Sequence, residues 1–184
     1  MRQIIALAAL LVLASFLVGP RATSIARAQG NPPAKIRVGV FDSRIVALAY
    51  YNTDEHQRAM QQMMTELRDA KAANNEARVK ELEFQGPALQ NLAHYQVFST
   101  ASVPNVVEKL ADVLPKVAFD AGVSVIVSKW EIAYTRSDVE YVDVTDALVR
   151  PFNPNAKVQQ WIAQGKDQKP MPLVEAVKTL RADR

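Results

Sequence analysis

The residues of this chain that could bind metal or sense pH are few. His56 and His94 are the only histidines, and two antiparallel helices could bring them together as a metal-binding or pH-sensing pair. Two histidines without the spacing of metal ligands are more often surface residues. The chain has no cysteine, which excludes disulfides, thiol catalysis and thiolate metal sites.

A second group of polar residues is acidic and lies near the end of the expected core. Asp138, Glu140, Asp143 and Asp146 could together attract a cation, but a calcium loop also requires a glycine-punctuated turn, which this stretch does not have. The same four residues fit turn and helix-capping roles. The sequence shows no nucleophile elbow, glycine-rich phosphate loop or triad order, so we expect neither enzymatic activity nor a cofactor.

Methionine supplies the third group, which points to binding rather than to reaction chemistry. Met60, Met63, Met64 and Leu67 fall at i, i+3, i+4 and i+7, and therefore share one helix face. Flexible, polarizable thioethers suit partners of variable shape, although such a face also packs well against a neighbouring helix. Both roles are open for the same residues. The candidate binding residues of the helical region are Met60, Met63, Met64, Leu67, Val79 and Leu82.

Strand-like segments flank the helical region and must support it. KIRVGVFD begins at Lys35 and alternates apolar with other residues, which predicts a strand closed by capping chemistry at Asp42-Ser43. VSVIVS (123–128) predicts a buried strand, and residues 132–134 predict another strand, paired to it through a tight connection. Residues 139–142 are expected to be extended. The candidate core and oligomer-contact residues of this body are Ile36, Val38, Val40, Val123, Val125 and Val127.

Helical spacing fills the long interval between these strands. One helical stretch runs from about Arg44 to Ala73, with a possible restart at Thr53-Asp54. Asn74-Asn75 is the expected turn, and a return helix begins at Glu76. Gly86-Pro87 is expected to kink or break that helix.

The next helical stretch follows an interruption at residues 99–104. Ser102 or Asn105 is placed to cap it, Pro115 should bend it, and Gly122 is suited to end it. A strongly apolar stripe along this stretch predicts that it packs on the body.

The chain closes with a turn, a short helix and an extension. Asp143 or Thr145 is expected to cap the short helix. Residues 153–184 form a C-terminal extension with two predicted short helices. We expect these helices to dock only if Trp161, Leu173 and Val177 find a surface.

The N-terminus has the pattern of a secretory leader. Arg2 precedes an apolar run from Ile4 to Val18, and small residues surround a possible cleavage site after Ala28. We expect a signal peptide at 1–28 and a linker at 29–34, with an uncleaved N-terminal anchor as the alternative. The leader holds three of the 22 basic residues and none of the 19 acidic ones, so cleavage lowers the formal net charge from +3 to zero. That removes the compositional case for nucleic-acid binding.

Three segments in this order resemble the OmpH (Skp-like) family of periplasmic chaperones. They are KIRVGVFDSRIV (35–46), VVEKLADVLPKVAFDAGVSVIVSKWEIAY (106–134) and SDVEYVDVTDALVRPFNP (137–154). The resemblance covers both ends of residues 35–154, while the middle agrees only in being helical and rich in polar residues.

The resemblance implies an α+β fold that is predominantly helical. A small β-sheet body (35–50 and 104–152) would carry a long helical hairpin (51–103) inserted between the first and second strands. It also implies a homotrimer in the periplasm that holds unfolded outer-membrane proteins between its arms without ATP. The arm is shorter than the family pattern, the mature chain is neutral rather than basic, and residues 155–184 extend past the family's usual end.

A second function is compatible with the same pattern. A structural or adaptor protein of the cell envelope could keep the trimeric body and use its arms or tail to bind a folded partner. The sequence therefore predicts a binding protein and leaves open which of the two kinds it is.

Overall fold

The computed structural model of the chain describes residues 35–182. The predicted signal peptide (1–28) and linker (29–34) lie outside these residues. The described chain is an α+β protein with eight α-helices and one small three-stranded sheet. In chain order its elements are β1 (Ile36–Phe41), α1 (Ser43–Tyr51), α2 (Asp54–Ala72), α3 (Glu76–Phe98), α4 (Pro104–Glu108), α5 (Leu114–Ala121), β2 (Ile126–Ser128), β3 (Val139–Asp143), α6 (Thr145–Val149) followed by a 3-10 turn (Arg150–Phe152), α7 (Ala156–Lys166) and α8 (Leu173–Ala182).

The sheet is entirely parallel, with β1 between β2 and β3. Gly39 pairs with Ile126 on one side and with Val142 on the other. The first strand therefore meets the 123–128 region across the helical interval, as the sequence predicts. Parallel pairing requires a long crossover before each strand, which explains why helices separate β1 from β2.

Two strand predictions are wrong in detail. Only the end of VSVIVS is a strand, and residues 132–134 are not in a strand at all, so the expected hairpin between them is absent. The third strand is β3, and it lies on the far side of β1. Because β3 runs parallel to β2, residues 129–138 must carry the chain back along the sheet instead of turning tightly.

Several helix boundaries are as predicted. Thr53 caps the restarted helix, since its hydroxyl accepts a hydrogen bond from the backbone N–H of His56 at 3.2 Å. The turn falls at Asn74-Asn75, where Asn74 has a φ of 55°. Gly122 ends α5 in the left-handed conformation with a φ of 62°, a position where a side chain would be strained.

Prolines and caps behave differently from the predictions. α3 is continuous through Pro87, so the expected break is wrong: a proline forfeits one hydrogen bond, and the other bonds of a 23-residue helix hold it together. Neither Ser102 nor Asn105 caps α4, which instead starts with Pro104 in its first turn. Pro115 does not bend one helix but begins the separate helix α5. Prolines at both starts fit the first helical turn, where the missing N–H is not needed.

The core lies between the sheet and the helices, with α1 at its centre. Phe41 of the sheet packs with α1, α4, α6 and α7 in one buried cluster. From the C-terminal extension, Val158 and Ile162 enter this cluster. Gly165 of α7 allows close packing against α1, since a Cβ there would lie 2.9 Å from the Cδ1 atom of Ile45. The extension is thus part of the fold. Its docking residues differ from those predicted, because Trp161 and Leu173 stay exposed.

A buried carboxylate joins the end of β1 to three other parts of the chain. Asp42 accepts hydrogen bonds from the backbone N–H and the guanidinium of Arg44, with Nη2 at 2.9 Å, and from the indole N–H of Trp130 at 3.0 Å. The ammonium of Lys129 lies 2.9 Å from the same carboxylate. The backbone N–H of Asp42 donates to the hydroxyl of Thr145 at 2.9 Å. Asp42 thus connects β1, α1, the segment after β2 and the start of α6.

These contacts explain the ionisation of Asp42 and the capping of α6. Burial by itself would raise the pKa of Asp42, but hydrogen bonds from Arg44, Trp130 and Lys129 outweigh it and lower that pKa. Thr145 does not cap α6 with its hydroxyl, which is occupied by Asp42. Asp143 is not the N-cap either, since that position is Val144, but its carboxylate accepts the backbone N–H of Thr145, the first residue of α6, at 2.8 Å.

Replacing Asp42 with Ala should strongly destabilise the fold. The substitution leaves the guanidinium of Arg44 buried without its counter-charge, which costs about 3–5 kcal/mol in comparable buried pairs. Denaturant unfolding at a fixed protein concentration would measure the change. Asp69→Ala is the matched control, because the Arg68–Asp69 pair is exposed and its loss should change the unfolding free energy by about 0.5 kcal/mol or less. Equal effects of the two substitutions would contradict this role for Asp42.

Candidate functional site

The predicted binding residues lie on a pair of helices that we call the arm, formed by α2 and α3. The helices pack against each other and run in opposite directions from the turn at Asn74-Asn75. Ion pairs tie them together along the edges: Glu66 to Arg78 at 2.6 Å and Lys71 to Glu83 at 2.8 Å. Both pairs are half exposed, so they set the alignment of the helices more than they stabilise it.

Most of the predicted arm residues face the inside of the arm. Leu82 is only 3% exposed, and Met60, Met63, Leu67 and Val79 are half-buried. Met63 also comes close to α3, since a Cβ on Gly86 would lie 4.0 Å from its sulfur. Met64 is the exception, with 71% of its surface exposed. Packing between the helices accounts for the burial of five of the six residues, and their contact with a client stays a prediction.

Exposed apolar residues of α3 were not among the predicted set. Phe84 is 78% exposed, and Leu89, Leu92 and Phe98 also present large apolar surfaces. Phe84 and Phe98 are two heptads apart, so they lie on nearly the same face of α3. The sequence does indicate the exposure of Phe84, because the helical spacing that places Leu82 inside the arm turns Phe84 outward.

A closed set of hydrogen bonds fixes the base of the arm to the body. The hydroxyl of Tyr51 donates to the amide oxygen of Gln96 at 2.5 Å, and the amide nitrogen of Gln96 donates to Asn105 at 2.7 Å. Asn105 completes the set by donating to the hydroxyl of Tyr51 at 3.1 Å. Gln96 is almost fully buried, and burial raises the pKa of Tyr51. Breaking any one bond would leave a desolvated polar group, so this base is rigid.

The two histidines line one cleft of about 320 Å³ where the arm meets α1. The ring of His56 packs edge-on against Tyr51, with 4.9 Å between ring centroids. Burial lowers the pKa of His56, while the nearby Glu55 acts in the opposite direction. Within residues 35–182 no cluster of three or more His, Cys, Asp or Glu residues is arranged to hold a metal ion.

The acidic residues near the third strand are engaged in local contacts. Asp138 pairs with Arg136, Glu140 with Arg37 at 3.4 Å, and Asp146 with Lys166 at 2.6 Å. Asp143 binds the first N–H of α6, as described above. Asp138 and Asp143 thus have the local turn and helix-start contacts that were expected, whereas Glu140 forms a cross-strand ion pair and Asp146 pairs with α7.

The sheet has a second apolar surface, facing away from the helices, that we call the outer face. Gly39, Phe41 and Val142 belong to the helix-packed side, so the strand alternation and register place the intervening residues on the other side. Those residues are half-buried or exposed, and Val125, just before β2, is 51% exposed. Its apolar members are Ile36, Val38, Val40, Val127, Val139 and Tyr141, with Val125 continuing the alternation of Val127, and the exposed Asp143 lies opposite Val40 at one end of the face.

The predicted body residues fall on both sides of the sheet. Ile36, Val38, Val40 and Val127 lie on the outer face rather than in the subunit's own core. Val123 is buried on the inner side, where its Cγ2 atom would lie 3.1 Å from a Cβ on Gly39. The alternation from 123 to 127 is broken because regular pairing begins only at Ile126.

In residues 35–182 there is no helix of the length and apolarity needed to cross a bilayer. Comparison of the chain with protein-family models, curated proteins and solved structures finds no match.

Truncating the interior of the arm should have a much larger effect than truncating its exterior. Leu82→Ala should destabilise the arm by about 2–4 kcal/mol, because it removes buried methyl groups and leaves a cavity. Met64→Ala should change its stability by about 0.5 kcal/mol or less. Hydrogen exchange of residues 54–98 would measure both. If the two variants exchange alike, Leu82 does not hold the arm together.

Proposed function

We propose that this protein is an exported, OmpH-like chaperone that holds unfolded envelope proteins without ATP. The observation that carries the proposal is the exposed apolar surface of the arm, above all Phe84 and Met64, on a base that is rigidly joined to the body. The chain order is a second support, because α2 and α3 lie between β1 and β2, where the sequence resemblance leads us to expect the arm.

The arm offers contacts of the kind that holding an unfolded chain requires. Burial of apolar surface is non-directional and gains about 25 cal/mol per Å². Scattered exposed residues such as Met64, Phe84 and Leu92 would each contribute a weak contact, so a client could remain bound without adopting one conformation. Affinity would arise from the number of such contacts.

The outer face of the sheet supports assembly of several copies through the body. Parallel sheets are nearly always covered on both faces, whereas one apolar face here is only partly covered. We propose that a second and a third copy of the chain cover this face, which gives the homotrimer implied by the family resemblance. Periplasmic location is part of the same proposal and depends on the signal pattern of residues 1–28.

An adaptor of the cell envelope is the second candidate function. What favours it is that five of the six predicted arm residues pack within the arm, which leaves a smaller exposed surface than an arm with an open stripe. In that case the body would assemble in the same way and the arm would bind a folded partner.

Val125→Asp should separate assembled subunits without unfolding them. Val125 is half exposed in the subunit, so a carboxylate there stays hydrated in a free copy but would be buried without a partner in an assembly, at a cost of several kcal/mol. Light scattering of the native protein should change from the mass of three copies to that of one, with unchanged circular dichroism. Ser124→Asp, an exposed neighbour, should keep the assembled mass. A wild-type protein with the mass of one subunit would contradict the proposed assembly.

The double variant Met64→Ser/Phe84→Ser should weaken client holding while leaving assembly intact. Losing the two exposed side chains removes on the order of 2 kcal/mol of apolar contact, or more than tenfold in affinity. The measurement is light scattering after a urea-unfolded outer-membrane protein is diluted into the variant or the wild type.

Lys80→Ser is the control, because Lys80 is an exposed residue of α3, the helix that carries Phe84. This variant should suppress aggregation as the wild type does. If wild-type protein at an equimolar ratio leaves aggregation unchanged, the chaperone function is wrong and the adaptor function is favoured.

A further inference from the structure

A second cleft lies where α1, α3 and α7 meet, at the end of α3 that carries Phe98. It has a volume of about 400 Å³, within the range of small-molecule sites. One side is apolar and is formed by Ile45, Leu48 and Val97. The other is polar and is formed by Arg44, Gln164, Gln168 and Lys169. This division of the lining fits a ligand with one apolar and one polar end.

Positive charge collects at the polar side of this cleft. Among the residues that line the cleft, Arg44 and Lys169 are cationic and none is acidic. Asp42 is shared between Arg44 and the partly exposed Lys129, so it does not fully neutralise Arg44 alone. Lys169 forms no ion pair with any residue in the 35–182 range. The polar end of a ligand in this cleft is therefore expected to be an anion.

Arg44 has donor capacity left over. Its side chain is about nine-tenths buried or more, and its Nε and Nη2 atoms donate to Asp42, with Nη2 also 3.4 Å from the carbonyl oxygen of Gly165. Nη1 has no acceptor among the described residues and is not fully buried, so its donors are open to solvent or to a ligand. A carboxylate oxygen in the cleft beside Arg44 would supply that acceptor.

Two exposed aromatic residues stand at the opening of the cleft. Phe98 is 57% exposed and Trp161 is 39% exposed, although both line the cleft. The backbone carbonyl of Phe98 is held by the N–H of Met171 at 2.8 Å, which fixes this side of the opening. Aromatic rings at a cleft mouth provide apolar area for a ligand at little entropic cost.

We propose that this cleft binds an aliphatic carboxylate such as a medium-chain fatty acid. The carboxylate accepts hydrogen bonds from Nη1 of Arg44 and pairs with Lys169. The aliphatic chain lies on Ile45, Leu48 and Val97, and the two aromatic rings cover it at the opening. This inference does not depend on the proposed chaperone function, because it uses neither Met64 and Phe84 nor the outer face of the sheet; of the exposed arm residues, only Phe98 lines the cleft.

Calorimetric titration of the purified protein with decanoate, below its micelle concentration, tests the proposal. Decanoate should bind saturably, and decyltrimethylammonium, which has the same chain and the opposite charge, should not. Lys169→Glu should weaken decanoate binding by about tenfold or more, because it replaces an attraction with a repulsion. Gln164→Trp, at an exposed position of the lining, should weaken binding by filling the cleft.

Lys178→Glu is the matched control, since it makes the same charge change at an exposed position of α8 that does not line the cleft. It should bind decanoate as the wild type does. The proposal is overturned if the wild type shows no saturable binding, if the cationic chain binds equally well, or if both glutamate variants behave alike.

Discussion

The structure depends on one buried carboxylate at the carboxyl end of the central strand. Asp42 is almost inaccessible to solvent, and its ionised form persists because Arg44, Lys129 and Trp130 all donate to it. Desolvation of a buried ion pair offsets much of the Coulombic energy that the pair gains. The main contribution of this pair is therefore to specify one arrangement of the surrounding chain. It fixes where α1 leaves the sheet and where the segment after β2 returns. Through Thr145, it also fixes where α6 begins.

Helix α1 leads from Asp42 to the base of the arm, so it fixes the position of the arm relative to the sheet. Its buried residues hold the core together, and its last residue, Tyr51, belongs to the closed hydrogen-bond set with Gln96 and Asn105. Sheet, α1 and arm base are therefore one continuous rigid unit. Farther out, the arm is held by apolar packing around Leu82 and by exposed ion pairs.

The sequence predicted those features that depend on local chemistry. Alternation at 36–41, the cap at Thr53, the asparagine turn and Gly122 each act over a few residues, and each is observed. Features that depend on distant partners were missed or misplaced. The third strand is parallel because of a crossover that local patterns do not encode, and Pro87 is tolerated because the helix around it is long. Of the candidate site, the sequence predicted the interior of the arm but not Phe84. The spacing that buries Leu82 turns Phe84 outward, yet a single aromatic outside the apolar stripe forms no repeat of its own.

The parallel arrangement of the sheet has a consequence for how the chain folds. β1 is made first, yet both of its neighbours arrive more than eighty residues later, at Ile126 and Val139. The arm and its turn need only contacts close in sequence, which form fastest, whereas non-local strand pairing is slow. The arm can therefore be complete while the central strand still has two unpaired edges. During synthesis, the chain would have to protect those edges until residues 126–143 have been made.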